Sequence, residues 1–375
     1  MVPFTIDVKL NDLVIVPDIN DATMLFFWTK KMSDFNANVV KLMMGTSLAQ
    51  AIPIAISPIL TRLYTPAEFG TFALYISVAA MLSVVVTGRY ELAIMLPRSR
   101  KNAFHLVILA SGLSFILSAL LFIMILFFNH DISSFLGNSE ISVWLYLLPG
   151  SVLLTGCYQS VYYWVNREKK YGAIGLAKIV QTSGAGGTNI AGGWAGGGPS
   201  GLILGNFLGQ TLAVSFLAIQ AFKTKIIYWD RLSFVRIYIL SKRYINFPKF
   251  DILASLMNVS SHQVTIILFG SLYNSALAGQ YFLTQRILGL PLTLVAASIS
   301  DVFREEAARE YKRFGSAKKI FIETFVKLIL IGLVPSIILF SYAQELFVFV
   351  FSKEWRISGE YAQLLVPMFF FKVCS

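Results

Sequence analysis

Charged side chains inside apolar segments are the residues of this chain best suited to do chemistry. Arg89 and Arg286 each lie in a segment of about 20 mostly apolar residues, where an ionisable group is by default a functional candidate. A guanidinium can hold two phosphate oxygens at once. If both arginines face one cleft, they form two cationic posts for a pyrophosphate. The alternative is that each extends to the nearer membrane interface.

Two carboxylates lie in comparable positions. Glu91 is two residues from Arg89, and on a continuous helix that spacing places the two side chains on different faces. Asp301 occupies nearly the equivalent position in the second half of the chain. Either carboxylate could carry a coupling proton or sodium ion, although placement at the membrane interface explains both more simply.

Uncharged polar side chains are also frequent in these apolar segments. A hydrogen bond between helices explains any one of them, whereas a saccharide cavity explains why so many occur together. We expect this cavity to include Gln50, Gln159, Asn258, His262 and Gln285. Lys178 is added to the set, although its long stem could instead reach the cytoplasmic boundary.

Other kinds of site are not indicated. The cysteines Cys157 and Cys374 and the three histidines are scattered along the sequence, so we expect no disulfide, metal site or cofactor. The glycine run at 184–198 lacks a preceding strand and nucleotide-binding spacing. It therefore predicts close helix packing and not a phosphate loop.

The elements that must position these residues follow from composition. The chain has 375 residues, of which 56% are hydrophobic and 14% charged, and its mean hydropathy is +0.68. Soluble domains carry roughly 25% charged residues. A soluble enzyme and a disordered chain are both excluded, and we predict an all-α, polytopic membrane protein.

Apolar runs long enough to cross a bilayer define the predicted spans. A tenth run begins near Tyr361 and has about 15 residues, which is short of a full crossing. Nine complete spans precede it, at 39–60, 71–93, 103–128, 141–164, 174–193, 201–221, 252–272, 281–299 and 320–342.

The connections between spans alternate in charge. Four of them hold 19 of the 31 Lys and Arg residues, at 97–102, 165–171, 222–250 and 300–319. The intervening loops hold only Arg62, Lys353 and Arg356. Because cationic loops stay in the cytoplasm, we predict a cytoplasmic N-terminus. The net charge of +11 is then topological, and nucleic acid is not expected as a partner.

An internal repeat predicts two lobes. Leu63-Tyr64 followed by Gly70 recurs 209 residues later as Leu272-Tyr273 followed by Gly279, each time between a span and its successor. This predicts two six-helix lobes related as a parallel repeat. The second lobe is predicted to be truncated within the tenth span of the chain. We predict a cytoplasmic extension at 1–36, or a start at Met32. The lobes follow at 37–222 and 252–375, with a basic cytoplasmic loop at 223–251 between them.

The residues Ile56-Ser-Pro-Ile-Leu-Thr-Arg-Leu-Tyr64-Thr-Pro-Ala-Glu-Phe-Gly70 and Thr87-Gly-Arg89-Tyr-Glu91-Leu-Ala-Ile-Met-Leu-Pro97 form a recognisable pattern. The pattern resembles the N-terminal signature of bacterial polysaccharide transporters. These are the O-antigen flippase (Wzx-like) branch of the multidrug/oligosaccharidyl-lipid/polysaccharide (MOP) exporter superfamily. The resemblance covers residues 37–375 and is most specific in the first two spans.

The resemblance implies a transporter and not an enzyme. Its cargo would be an undecaprenyl-pyrophosphate-linked oligosaccharide, such as an O-antigen, capsule or exopolysaccharide repeat unit. The chain would carry this lipid-linked oligosaccharide across the bacterial inner membrane by alternating access, among membrane lipid and polysaccharide assembly proteins. A drug or metabolite exporter of the same superfamily is the alternative. A membrane-embedded glycan polymerase or ligase is a further one, but the outer loops here are short for such an enzyme.

Overall fold

The computed structural model describes residues 44–223 and 232–374. The predicted extension at 1–36 and the start of the first predicted span lie outside the described residues, as does the side chain of Asp301. The described residues form helices and connecting turns. The all-α prediction is therefore confirmed for them.

The helices follow one another with short connections. In chain order they are α1 (Met44–Leu63), α2 (Pro66–Val85), α3 (Tyr90–Ala93), α4 (Arg100–Phe135), α5 (Ile141–Leu145), α6 (Leu148–Arg167), α7 (Tyr171–Trp194), α8 (Pro199–Phe222), α9 (Phe234–Arg243), a π-helical turn (Phe247–Asp251), α10 (Ile252–Leu272), α11 (Ser275–Phe314), α12 (Lys318–Phe351), a 3₁₀ turn (Lys353–Trp355) and α13 (Arg356–Cys374).

Seven stretches of the described chain are both long and apolar enough to cross a membrane: Met44–Leu63, Pro66–Val85, Arg100–Phe135, Ile141–Arg167, Pro199–Phe222, Phe247–Leu272 and Lys318–Phe351. Helices α7, α11 and α13 occupy the other three predicted spans. The prediction of a multi-pass membrane protein is confirmed by this pattern.

Two predicted boundaries are wrong. The second span ends at Val85 and not at residue 93, because the backbone leaves the helix before Gly88. The fourth span agrees with its prediction at Ile141–Arg167, although residues 146–147 form a turn within it. The tenth begins at Arg356 and not near Tyr361; Ser358 in its first turn is buried and donates to the Gln280 backbone carbonyl at 2.9 Å.

The repeated Leu-Tyr motif has the same local structure in both copies. In the first copy Thr65 caps α2: its Oγ1 accepts from the Glu68 N–H at 3.4 Å, and Glu68 Oε2 accepts from the Thr65 N–H at 2.7 Å. In the second copy Asn274 caps α11 by accepting from the Leu277 N–H at 2.9 Å. A side-chain oxygen therefore starts the second helix of each pair.

The two repeat glycines meet where the lobes pack. Helix α2 packs against both α10 and α11. A Cβ on Gly70 would overlap the Ser275 carbonyl oxygen, and a Cβ on Gly279 would overlap the Pro66 carbonyl oxygen. Only glycine allows this approach of the two backbones. The repeat that the sequence predicts thus forms the contact between its own two copies.

One apolar core covers this end of both lobes. Phe69 and Trp355 are fully buried in it, with ring centroids 5.0 Å apart. The Trp355 Nε1–H donates to the Thr61 carbonyl at 2.9 Å and so ties the turn before α13 to the end of α1. This core joins the lobes at the end where the loops carry few positive charges.

Close packing of α7 on α8 explains the glycine run. Gly192 lies so near Gly201 that a Cβ on Gly192 would be 2.6 Å from the Gly201 Cα. This agrees with the prediction of helix packing.

Candidate functional site

The backbone breaks at the end of α2 and places Arg89 outside any continuous helix. Gly88 and Arg89 both have left-handed conformations, with φ of 60° and 59°. For a residue other than glycine this conformation is uncommon, and it persists where surrounding contacts hold it. The short helix α3 then begins at Tyr90.

Arg89 is the centre of an ion-pair cluster that joins the two lobes. Its Nε lies 2.5 Å from Asp251 Oδ2 and its Nη1 lies 3.3 Å from Glu91 Oε1. The third nitrogen, Nη2, donates to Ser255 Oγ at 3.0 Å. Asp251 and Ser255 lie at the start of α10, the first helix of the second lobe, so the cluster crosses the lobe boundary.

Glu91 is buried within the same cluster. Its side chain is 1% exposed, and its Oε2 accepts from Thr87 Oγ1 at 2.5 Å. Burial raises the pKa of this carboxyl above its ordinary value, although the Thr87 hydrogen bond and the Arg89 charge lower the pKa in part. Glu91 lies in α3, outside the membrane-spanning helices.

The expectation that Arg89 and Glu91 lie on different helix faces is wrong. That expectation assumed a regular helix from residue 71 to residue 93. Because Arg89 is left-handed, its side chain turns towards that of Glu91.

The cluster changes the role expected of Arg89. With both carboxylates ionised, one guanidinium faces two negative charges, so the cluster is not a free cationic post in this conformation. Asp251 and Ser255 were not predicted as site residues. The sequence signal for Asp251 is an acidic residue directly before the apolar run that begins at Ile252.

Arg286 has different surroundings. It projects from α11 towards α1 of the other lobe, where its Nη2–H donates to the Pro53 carbonyl at 3.5 Å. Gln50 lies three residues before Pro53 on α1. The adjacent Gln285 donates to Tyr281 Oη at 2.6 Å. Among the described side chains, no carboxylate lies within ion-pair distance of Arg286.

Lys178 lies inside the first lobe beside three tyrosines of α6. Its Nζ is 6.0 Å from the Tyr162 ring centroid and 3.5 Å from Thr46 Oγ1 on α1. Tyr162 lies 6.0 Å from Tyr158 and 5.4 Å from Tyr163, measured between ring centroids. We call Tyr158, Tyr162 and Tyr163 the tyrosine cluster.

Two polar atoms of α6 are buried without a hydrogen-bond partner in the described structure: Tyr158 Oη and Gln159 Oε1. Buried polar groups are normally paired, so each such group calls for an explanation. The tyrosine cluster was not predicted. Its signal in the sequence is the spacing Tyr158-x₃-Tyr162-Tyr163 within a span.

The predicted residues of α10 do not join these groups. Asn258 and His262 are exposed on α10, whereas Gln263 accepts from Ser77 Oγ at 2.9 Å across the lobe boundary. Their membership of a cavity stays a prediction. Within the described residues no group of three or more His, Cys, Asp or Glu side chains is placed to hold a metal ion.

Sequence comparison gives one family. The profile of the family described as "Polysaccharide biosynthesis protein" matches residues 59–359. A search of curated proteins gives no match.

Solved structures share the fold at low identity. An outward-facing multidrug resistance MATE family transporter of the MOP superfamily matches with a TM-score of 0.54 and 16% identity, over 90% of this chain and 79% of that chain. A MOP superfamily transporter from Pyrococcus furiosus matches with a TM-score of 0.52 and 16% identity, over 90% and 82% of the two chains. These likenesses show a MATE-like transporter fold.

Proposed function

Since the chain belongs to the polysaccharide biosynthesis protein family and has a MATE-like fold, we propose that it is a flippase for lipid-linked oligosaccharide. The cargo is an undecaprenyl-pyrophosphate-linked repeat unit of an O-antigen, capsule or exopolysaccharide. It moves across the bacterial inner membrane by alternating access of a cleft between the two lobes. The family and the fold both point to a transporter and not to an enzyme.

The surroundings of Arg286 carry this proposal. A diphosphate inside a membrane needs a positive partner, because an unpaired charge in an apolar medium is very costly. Arg286 lies between α11 of one lobe and α1 of the other. Its partner is the Pro53 backbone carbonyl, and no carboxylate among the described side chains pairs with it. A guanidinium in that position can take two phosphate oxygens of the cargo.

The first lobe supplies groups suited to sugars. The tyrosine cluster offers ring faces and hydroxyls, and Tyr158 Oη and Gln159 Oε1 have hydrogen-bonding capacity left over. Lys178 lies on the same side, against Tyr162. We propose that the saccharide lies along α6, while the pyrophosphate lies at Arg286.

The Arg89 cluster serves the conformational cycle in this proposal. Because Arg89 and Asp251 belong to different lobes, a rocking motion that parts this end of the molecule must separate them. Protonation of Glu91 would remove one of the negative charges that hold Arg89. A sodium ion bound beside Glu91 and Asp251, instead of that proton, would offset the same negative charge. Glu91 is thus the proposed coupling residue, with Asp301 as a second candidate. We propose that this end, with the N-terminus, lies in the cytoplasm; the clustered cations support this orientation.

Binding tests the proposal without requiring a complete transport cycle. The purified chain should bind undecaprenyl pyrophosphate in detergent, and Arg286→Ala should weaken binding about tenfold or more, since a charge-assisted pair is lost. Arg286→Lys should be intermediate, because a lysine supplies charge without the paired donors. Lys353→Gln, at an exposed site, should bind as the unchanged chain does.

Rescue of surface polysaccharide in a flippase-deficient strain tests the transport itself. Rescue that survives Arg286→Ala would contradict the proposed phosphate site. Resistance to cationic dyes without polysaccharide rescue would favour the drug exporter and overturn the flippase.

A further inference from the structure

Helix α9 has two apolar faces, and only one of them packs on the protein. Leu240 is 4% exposed and belongs to a core that includes Ala93 and Trp164 of the first lobe, against which Tyr244 also packs. The other face is open, with Phe234 90%, Val235 69%, Tyr238 61% and Ile239 54% exposed. These four side chains recur at i, i+1, i+4 and i+5, which is one side of a helix.

Hydrogen bonds fix the direction in which the open face points. Tyr90 Oη donates to the Ser241 carbonyl at 3.1 Å, and Arg236 Nε donates to Asn102 Oδ1 at 3.0 Å. Ser233 caps the helix by accepting from the Arg236 N–H at 3.4 Å. The helix is thus attached to the first lobe along its length.

The open face has a basic border. Residues 231–250 contain five Lys and Arg residues and no Asp or Glu. Lys242 lies on the open face itself, its Nζ 5.3 Å from the Tyr238 ring centroid. Arg243 lies at the edge, next to a cavity of about 430 Å³ between α9 and the start of α4.

That cavity has a second arginine. Arg98 also lines it, together with Ser99, Asn102, Leu240 and Tyr244. Among the described residues, three carboxylates of this end already face other arginines: Glu168 pairs with Arg100 at 3.1 Å, while Glu91 and Asp251 face Arg89.

We propose that α9 is an interfacial helix that binds an anionic glycerophospholipid. Its open face lies in the boundary between headgroups and acyl chains, and the lipid phosphate lies between Arg98 and Arg243. Helix α9 joins two membrane-spanning helices, α8 and α10, so it is held at the membrane surface. An exposed apolar face with a basic border is the pattern of helices that lie in that interface. This inference does not depend on the cargo of the transporter.

Short-chain lipids provide the first test. The purified full chain in detergent is titrated with dihexanoyl phosphatidylglycerol, dihexanoyl phosphatidylcholine or inorganic phosphate. Phosphatidylglycerol should bind most tightly. Arg98→Gln with Arg243→Gln should weaken its binding about tenfold, because two phosphate-facing cations are removed. Lys353→Gln with Arg356→Gln, two exposed cations near the start of α13, is the matched control and should change nothing.

Three results would overturn the proposal. Equal affinity for the two lipids would remove the charge preference, and inorganic phosphate binding as tightly as phosphatidylglycerol would show an ion site without lipid. Unchanged affinity in the Arg98, Arg243 variant would place the lipid elsewhere.

A spin label gives an independent readout of the open face. With Cys157→Ser and Cys374→Ser as background, the chain carrying Phe234→Cys is labelled and placed in vesicles of phosphatidylcholine and phosphatidylglycerol. The label should be accessible to oxygen and protected from a water-soluble nickel chelate. A label at Lys353→Cys should show a lower ratio of oxygen accessibility to nickel-chelate accessibility. A label at 234 that is open to the nickel chelate would contradict the interfacial position.

Discussion

Arg89 and Asp251 link the two lobes through one ion pair, with Arg89 Nε 2.5 Å from Asp251 Oδ2. The two residues are 162 positions apart. Arg89 follows the second span of the first lobe, and Asp251 lies near the start of the first span of the second lobe, Phe247–Leu272. The pair therefore reports directly on whether this end of the lobe boundary is closed.

Breaking this pair should loosen the boundary at a modest cost in stability. The Arg89 and Asp251 side chains are 21% and 37% exposed, so solvent reduces the strength of their attraction. A double-mutant cycle with Arg89→Gln and Asp251→Asn should give a coupling of about 1 kcal/mol in the free energy of unfolding. Hydrogen exchange of residues 86–99 should rise in both single variants.

The Arg100–Glu168 pair is the matched control, because its arginine is 59% exposed and both partners lie in the first lobe. Glu168→Gln should leave exchange at 86–99 near that of the unchanged chain. A coupling energy near zero for Arg89 and Asp251 would contradict their role as a link.

Glu91 should make stability depend on pH in a predictable direction. Burial raises its pKa above the ordinary value of 4.5, so the folded chain keeps this proton at a pH where the unfolded chain has lost it. Above pH 4.5 the free energy of unfolding then falls as pH rises towards the raised pKa. In Glu91→Gln that contribution is absent. Thermal unfolding in detergent from pH 4.5 upwards measures the difference.

Glu140→Gln provides the comparison, since Glu140 is exposed and far from α3 in the sequence. It shows the effect of removing one carboxylate from the surface. If the unchanged chain and Glu91→Gln have parallel pH profiles, Glu91 does not titrate as proposed.

Gly279 should tolerate no side chain, in contrast to a glycine ten residues away on the same helix. A Cβ on Gly279 meets the Pro66 carbonyl and lies 2.7 Å from the Gly70 backbone nitrogen, whereas a Cβ on Gly289 meets no described atom within 4 Å. We expect Gly279→Ala to lower the free energy of unfolding by about 1–3 kcal/mol through forced separation of the backbones. Gly289→Ala should be neutral or slightly stabilising, because alanine favours a helix.

Thermal unfolding of the two variants checks this contrast. Similar midpoints for Gly279→Ala and Gly289→Ala would mean that α2 and α11 do not approach as closely as described.

Two tyrosine hydroxyls should respond differently to removal. Tyr64 Oη donates to the Asn189 backbone carbonyl at 2.6 Å, so Tyr64→Phe removes a buried hydrogen bond between helices and should cost about 1 kcal/mol. Tyr158 Oη has no partner among the described residues, so Tyr158→Phe should leave stability unchanged or raise it. If Tyr158 contacts the saccharide, the same variant should weaken binding of the lipid-linked oligosaccharide. Loss of stability without loss of binding would assign Tyr158 a structural role.

Some of these features follow from local sequence patterns. Apolar runs of about 20 residues predicted the helices because each run must satisfy its backbone hydrogen bonds internally in a membrane. The Leu-Tyr repeat predicted equivalent turns, since Thr65 and Asn274 are both N-caps that act on residues three positions ahead. The motifs around Arg89 indicated the family because their residues are contiguous in the sequence.

The position of each charge depended on contacts that no local pattern contains. The left-handed conformation at Arg89, which turns it towards Glu91, goes with contacts made 162 residues away at Asp251. Likewise, Arg286 meets Pro53 only after two lobes have packed around the paired glycines. The sequence alone predicted a multi-pass helical membrane protein of two repeats. Only the tertiary structure decided that Arg89 pairs with carboxylates while Arg286 lies between the lobes. The physical reason is that side-chain pairing depends on distances between helices that are far apart in the chain.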